Sequence, residues 1–66
     1  MNINFEAAIQ YINLGNYEAA EKHLNKAIDE EKEKHNESAV AEYRCVLAEF
    51  LVNLGRKQEA RGLFDK

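Results

Sequence analysis

The stretch INLG at residues 12–15 occurs a second time as VNLG at residues 52–55, 40 residues further along the chain. An alanine follows each glycine at the same distance, Ala20 in the first copy and Ala60 in the second. Repeats with a period of about 20 to 50 residues are typical of proteins built from stacked supersecondary units. We therefore expect two related units in this chain of 66 residues.

Each copy has the pattern of a helix, a glycine turn and a second helix. Gly15 and Gly55 both end segments whose apolar residues have helical spacing, and glycine readily takes the left-handed conformation that closes a helix. A second amphipathic pattern follows each glycine. We expect an all-α chain of four helices: the first from about Ile3 to Leu14 and capped by Asn2 or Asn4, the second beginning near Asn16, the third over about Ala39 to Leu54, and a short fourth ending at Lys66.

The segment from Leu14 to Ile28 resembles a tetratricopeptide repeat. The family pattern is a glycine, an aromatic residue two positions later, an alanine, a large apolar residue and a second alanine. The resemblance implies stacked helical hairpins that bind proteins or peptides and carry no catalytic site. The first copy fits with Gly15, Tyr17, Ala20, Leu24 and Ala27, and the second fits with Gly55, Ala60 and Phe64.

The chain departs from the family pattern in three ways. Lys57 replaces the aromatic residue in the second copy, the chain contains no proline, and the period is 40 residues where about 34 is usual. The chain therefore holds fewer than two full repeats. We expect a single domain, with the first repeat over about residues 3–35 and the second over about residues 38–66.

The extra residues fall in a charged segment at residues 29–38. Mixed charges at helical spacing indicate a solvated extension of the second helix. Neither glycine nor proline interrupts residues 34–39, so one continuous helix through this junction is an open alternative. We favour a break at residues 36–38, because asparagine and serine compete for backbone hydrogen bonds and favour caps.

Composition limits the chemistry. The formal net charge of −3 argues against nucleic acid and anionic membrane as partners, since both bind clustered positive charge. Cys45 is the single cysteine, which excludes an internal disulfide and favours a cytoplasmic location. His23 and His35 lie 12 residues apart without the neighbouring ligands that a zinc site needs. We expect no enzymatic activity, no metal and no cofactor.

The resemblance also implies a binding face, because the first helix of each repeat lines the concave side in this family. That surface is apolar, with two amides and one acid, which predicts a protein or peptide partner. The basic residues that grip a terminal carboxylate in chaperone-binding members are absent, and Phe5 and Ile9 stand in their places. The predicted face is formed by Phe5, Ile9, Ile12 and Asn13 of the first helix and by Cys45, Glu49, Val52 and Asn53 of the third.

Two alternatives stay open. Asn13 and Asn53 either hold a ligand backbone or cap the ends of their own helices. A chain this short is marginally stable alone, so we expect a homodimer or higher oligomer, or else a structural subunit that completes the core of a larger assembly. The residues expected in an oligomer interface are Phe5, Ile9, Ile12, Val46, Phe50 and Phe64.

Overall fold

The computed structural model describes residues 1–64, and this part of the chain is an all-α array of four helices. Each helix packs against the next one along the chain, so the backbone runs back and forth as a flat zigzag whose Cα positions extend 30 × 27 × 13 Å. The expected fold class and helix number are confirmed. The helices are α1 (Ile3–Leu14), α2 (Tyr17–Glu33), α3 (Glu37–Asn53) and α4 (Lys57–Gly62).

The two glycine turns have the same geometry. Gly15 has a φ of 81° and Gly55 a φ of 82°, which confirms the predicted left-handed conformation. At the first turn the Gly15 N–H donates to the Ile12 carbonyl at 3.0 Å, and the Asn16 N–H donates to the Tyr11 carbonyl at 2.9 Å. This pair of bonds is the Schellman motif, which satisfies the last carbonyls of a helix.

The junction between α2 and α3 is a third turn of the same kind, made without glycine. His35 has a φ of 59°, and the Asn36 N–H donates to the Glu31 carbonyl at 3.0 Å. The chain therefore breaks between α2 and α3, and the continuous helix is excluded. Left-handed residues stand at positions 15, 35 and 55, so the turn recurs every 20 residues, at half the period of the sequence repeat.

Asparagine caps the first three helices. The side-chain oxygens of Asn2, Asn16 and Asn36 accept hydrogen bonds from the backbone N–H three residues later, at 2.9, 3.3 and 3.4 Å. Each bond satisfies one of the free N–H groups that a helix leaves in its first turn. Of the two caps expected for α1, Asn2 is the one that forms.

The core lies along α2, which packs against both α1 and α3. Leu24 is fully buried, and burial of such a side chain stabilises the fold by about 1.5–3 kcal/mol. Small residues let the helices approach closely. The buried apolar residues are Ala8, Ala20, Leu24, Ala27, Ile28, Tyr43, Leu47, Phe50, Leu51 and Ala60.

Some predicted helix bounds were wrong. The third helix begins at Glu37 and ends at Asn53, because Asn36 caps it two residues earlier than expected. The fourth ends at Gly62 instead of continuing to Lys66, and its last backbone bonds span only three residues. Residues 65 and 66, which the prediction included, lie outside the described residues.

The charged segment at residues 29–38 is not solvated throughout, which corrects the sequence interpretation. Glu31 is only 4% exposed. Its carboxylate accepts hydrogen bonds from the side-chain amides of Asn2 at 2.8 Å and Asn36 at 3.1 Å, and Lys34 Nζ lies 3.6 Å away. The Asn2 hydrogen bond is the main reason why the pKa of Glu31 is lowered. One carboxylate thus links the N-terminal caps of α1 and α3.

A second polar contact fixes the start of α4. The Arg56 guanidinium donates to both carboxylate oxygens of Glu21 at 2.7 and 2.9 Å, and it also donates to Glu59. Planar guanidinium groups match carboxylates in this two-bond geometry. The hydrogen bond from Arg56 lowers the pKa of Glu59. Arg56 therefore connects α2 to the turn that opens α4.

Candidate functional site

A cleft of about 380 Å³ opens between α1 and α3. The ring of Phe5 stacks on the ring of Tyr43, with 4.2 Å between the centroids and 10° between the planes. This pair joins two helices that are not neighbours along the chain, and both of its residues line the cleft. The lining residues are Met1, Asn2, Phe5, Glu6, Ile9, Gln10, Glu42 and Tyr43.

The cleft is held in place by the polar contacts at the start of α1. Asn2 accepts a hydrogen bond from the backbone N–H of Phe5, which fixes the first turn of the helix. The amide of Asn2 in turn donates to Glu31 on α2 and to Glu30 beside it. Because Asn2 and Glu31 are both buried, Phe5 is anchored to α2 as well as to Tyr43.

Only some of the site residues predicted on α1 line the cleft. Phe5 and Ile9 line the cleft, and Ile9 is 36% exposed. Ile12 is half-buried and packs against the core. Asn13 lies exposed near the end of α1, outside the residues that line the cleft.

Four of the residues predicted on α3 lie on an exposed stripe. Cys45, Glu49, Val52 and Asn53 are all exposed, and their spacing of three or four residues, with Asn53 beside Val52, places them along one side of the helix. Val52 is 47% exposed. The stripe also includes Glu42, which lines the cleft.

Phe50 does not belong to this surface, which corrects its assignment to a binding or oligomer face. It is 6% exposed, and its ring contacts the edge of Tyr17 with 6.0 Å between centroids. The contact holds α3 against the start of α2. Val46, assigned to the same face, is half-buried and packs against the core.

The side-chain amides of Asn13 and Asn53 are available for hydrogen bonds to a ligand. Within residues 1–64 neither amide makes a hydrogen bond, so the cap alternative is not observed there. The helix ends are closed instead by the backbone bonds of Gly15 and Gly55. Both amides therefore present donors and an acceptor to solvent.

Sequence reasoning assigned Phe5 and Ile9 to the binding face and missed the other six cleft residues, which are Met1, Asn2, Glu6, Gln10, Glu42 and Tyr43. The repeat pairs Phe5 with its equivalent Cys45, but the residue that contacts Phe5 is Tyr43, two positions earlier on α3. Adjacent helices in a stack are offset along their axes, so equivalent residues are not the ones in contact. The aromatic character of Phe5 and Tyr43 was the available signal.

The cleft has a negative electrostatic character. Burial raises the pKa of Tyr43, and the nearby carboxylates of Glu31, Glu42 and Glu6 raise it further. Both Glu6 and Glu42 are exposed at the edge of the cleft. In the described part of the chain neither forms an ion pair.

The first hairpin matches a known protein family. Residues 4–34, which span nearly all of α1 and α2, match the family model of the tetratricopeptide repeat. Together with the helical hairpin seen there, the match shows that the chain carries a tetratricopeptide-like repeat, an element that generally mediates protein–protein interactions without catalysis. No curated protein and no solved structure matches the chain at a significant level. Among the described helices, none is long and apolar enough to cross a membrane.

Proposed function

We propose that this chain, with its tetratricopeptide-like repeat, is a small interaction module or regulator that binds a protein or peptide segment on the face shared by α1 and α3. One observation carries the proposal. The exposed side chains of Ile9 and Val52 lie on the two helices that also present the amides of Asn13 and Asn53. The module acts in the cytoplasm, without catalytic activity or a cofactor.

The amide side chains and the apolar side chains have different roles in this proposal. An extended peptide has backbone donors and acceptors at every residue, and each amide can bond to both types. Such hydrogen bonds contribute about 0.5–1.5 kcal/mol each, so they fix the register more than they supply affinity. Affinity comes from covering Phe5, Ile9 and Val52, since burial of apolar surface contributes about 25 cal/mol per Å².

Selection from a displayed library of random peptides on the immobilised chain tests the binding face. We expect the selected peptides to lose affinity for Asn13→Ala and Asn53→Ala while thermal stability stays unchanged. Asn25→Ala is the matched control, because Asn25 is an exposed amide on α2. Selected peptides that bind all three variants equally well would show that this face is not used.

We also propose that the chain forms a homodimer or higher oligomer. Several apolar side chains outside the cleft are exposed on a domain that is too small to form a large core. Sedimentation over a range of concentrations should give a mass above that of one chain, with unfolding that depends on concentration. A folded monomer with concentration-independent unfolding contradicts this proposal. The exposed apolar residues are Ile3, Leu14, Tyr17, Leu54 and Phe64.

A structural subunit is the second candidate. Phe64 is 56% exposed, although its repeat equivalent Leu24 is fully buried. The second repeat therefore exposes an apolar side chain at the position that belongs to the core in the first repeat. A chain that binds no peptide and unfolds without cooperativity on its own would favour a subunit whose core is completed by another protein. In either case the net charge of −3 favours a protein partner over nucleic acid or an anionic membrane.

A further inference from the structure

We infer that the cleft between α1 and α3 selects a cationic partner: a peptide segment in which lysine or arginine is followed by apolar residues. The inference rests on the proposed function and gives the chemical class of its ligand. It is carried by the juxtaposition of the Phe5–Tyr43 stack with the carboxylates of Glu6 and Glu42.

The charged side chains on the face shared by α1 and α3 are acidic. Glu6 is the one charged side chain of α1 (Ile3–Leu14). On α3 the exposed stripe adds Glu42 and Glu49, with Cys45 between them. A ligand lying along α1 and α3 therefore meets carboxylates at three places.

The basic residues near this region lie on other surfaces. Arg44, the one basic residue of α3, lines a different cleft with Lys32 and His35. Lys22 lies in a depression on α2 beside Glu21 and Asn25. In residues 1–64 no lysine, arginine or histidine side chain lines the cleft itself, and neither Glu6 nor Glu42 forms a salt bridge.

The residues that line the cleft suit a long basic side chain. Lysine and arginine bury an aliphatic stem along apolar surface and keep the charged end at the water boundary. Here Phe5 and Ile9 offer the apolar surface, and the carboxylates stand at the edge.

The same geometry disfavours acidic ligands. A terminal carboxylate, a phosphopeptide or a nucleic acid would bring negative charge against Glu6 and Glu42, and no lysine, arginine or histidine side chain lines the cleft to offset it. Two carboxylates that face an acidic ligand act as a repulsive element, which raises the specificity for a cationic partner.

Synthetic peptides that differ only in charge test the inference. An extended peptide of about nine residues spans about 30 Å, which matches the 30 Å extent of the molecule. Three peptides share one apolar pattern and carry lysine, glutamine or glutamate at the polar positions. Fluorescence anisotropy measures their binding at about 0.02 M and about 0.15 M salt, where screening differs strongly.

We expect the lysine peptide to bind at least about tenfold more tightly than the glutamine peptide, and the glutamate peptide to bind most weakly. The double variant Glu6→Gln/Glu42→Gln should remove most of that preference. Asp29→Asn/Glu33→Gln is the matched control, because it removes the same charge from the exposed part of α2 and should keep the preference.

The outcomes separate this inference from the proposed function. Binding that requires Ile9 but is equal for all three peptides overturns the cationic preference and leaves the interaction module intact. An equal loss in the double variant and in its control indicates attraction to the net charge alone, which also overturns it. If neither these peptides nor the displayed library binds, both the inference and the proposed function fail.

Discussion

The two hairpins of this molecule have the same turn but different surroundings. Gly15 and Gly55 close α1 and α3 with identical geometry, and Ala20 and Ala60 are buried behind them. The first hairpin continues into the 17 residues of α2, whereas α4 has 6 residues. The local sequence decides whether a hairpin forms. The burial of the second helix of a hairpin also depends on the helix that follows it, and α3 covers α2 in this way.

The largest difference between the hairpins should come from Leu24 and its equivalent Phe64. Leu24→Ala leaves a cavity in the centre of the core, and we expect a loss of about 2–5 kcal/mol in the free energy of unfolding. Phe64→Ala removes a mostly exposed ring and should cost well under about 1 kcal/mol. Urea denaturation of both variants measures the difference. Equal losses would mean that the second hairpin is packed as tightly as the first.

The next largest effect concerns the shared turn. Gly15→Val and Gly55→Val place a β-branched residue at a φ near 80°, which we expect to cost about 1–2 kcal/mol or more at either site. Beyond the neighbouring residues in the chain, no atom lies within 4 Å of the position that a Cβ would take, so the expected loss comes mainly from the backbone conformation.

Gly62→Ala is the control for the turn, because Gly62 lies inside α4 without positive φ. There alanine should be neutral or stabilising by up to about 1 kcal/mol. A Gly15→Val variant as stable as the parent would contradict the expected strain, and clearly unequal losses for Gly15→Val and Gly55→Val would refute the equivalence of the two turns.

The third turn offers a smaller change of opposite sign. His35→Gly relieves a left-handed conformation at a residue that has a Cβ, and we expect a gain of up to about 1 kcal/mol in the free energy of unfolding. His35→Ala keeps the Cβ and should bring no gain, which separates relief of strain from loss of the imidazole. Thermal unfolding of both variants is sufficient. A gain in the alanine variant as well would indicate that the imidazole itself is unfavourable.

The smallest effect is expected from Glu31→Gln, because glutamine keeps the shape and can still accept a hydrogen bond from Asn2 or Asn36. The folded-state pKa of Glu31 lies below its usual value of 4.5, so its charge stabilises the folded state above that pH. This contribution is lost as the pH falls through the lowered pKa.

The difference in melting temperature between the parent and Glu31→Gln should therefore be constant near neutral pH and shrink below about pH 4.5. Glu49→Gln serves as the control, because Glu49 is exposed on α3 and forms no ion pair among the described residues. A difference that persists unchanged to low pH would show that the ionised carboxylate does not link α1 to α3.

Local patterns predicted the fold better than they predicted the site. The glycines and the apolar spacing gave four helices and both hairpin turns, because these depend on neighbouring residues in sequence. The turn at His35 was placed only roughly, since a non-glycine residue in the left-handed region has no reliable sequence signal. Asn36 was the best available indication of it.

The site needed information about how helices stack. Phe5 and Ile9 were found from the repeat, but Glu6, Glu42 and Tyr43 were not, because the offset between α1 and α3 is set by side-chain packing. Phe50 was predicted in a binding or oligomer interface, but it is 6% exposed and its ring contacts Tyr17 of the same chain. Glu31 was interpreted as part of a solvated charged segment. Its two hydrogen-bond partners are not evident from the local sequence, because Asn2 is distant in the chain and Asn36 lies beyond a turn.

The stacking of Phe5 on Tyr43 has a consequence for the order of folding. Most packing in this zigzag joins neighbouring helices, and chains dominated by such short-range contacts fold within about microseconds to milliseconds. The Phe5–Tyr43 contact is different, since it closes a loop that contains the whole of α2. Loop closure of this kind follows helix formation, so the cleft should be among the last parts to assemble and the first to open. Hydrogen exchange would then find the candidate site protected less than the α1–α2 hairpin beneath it.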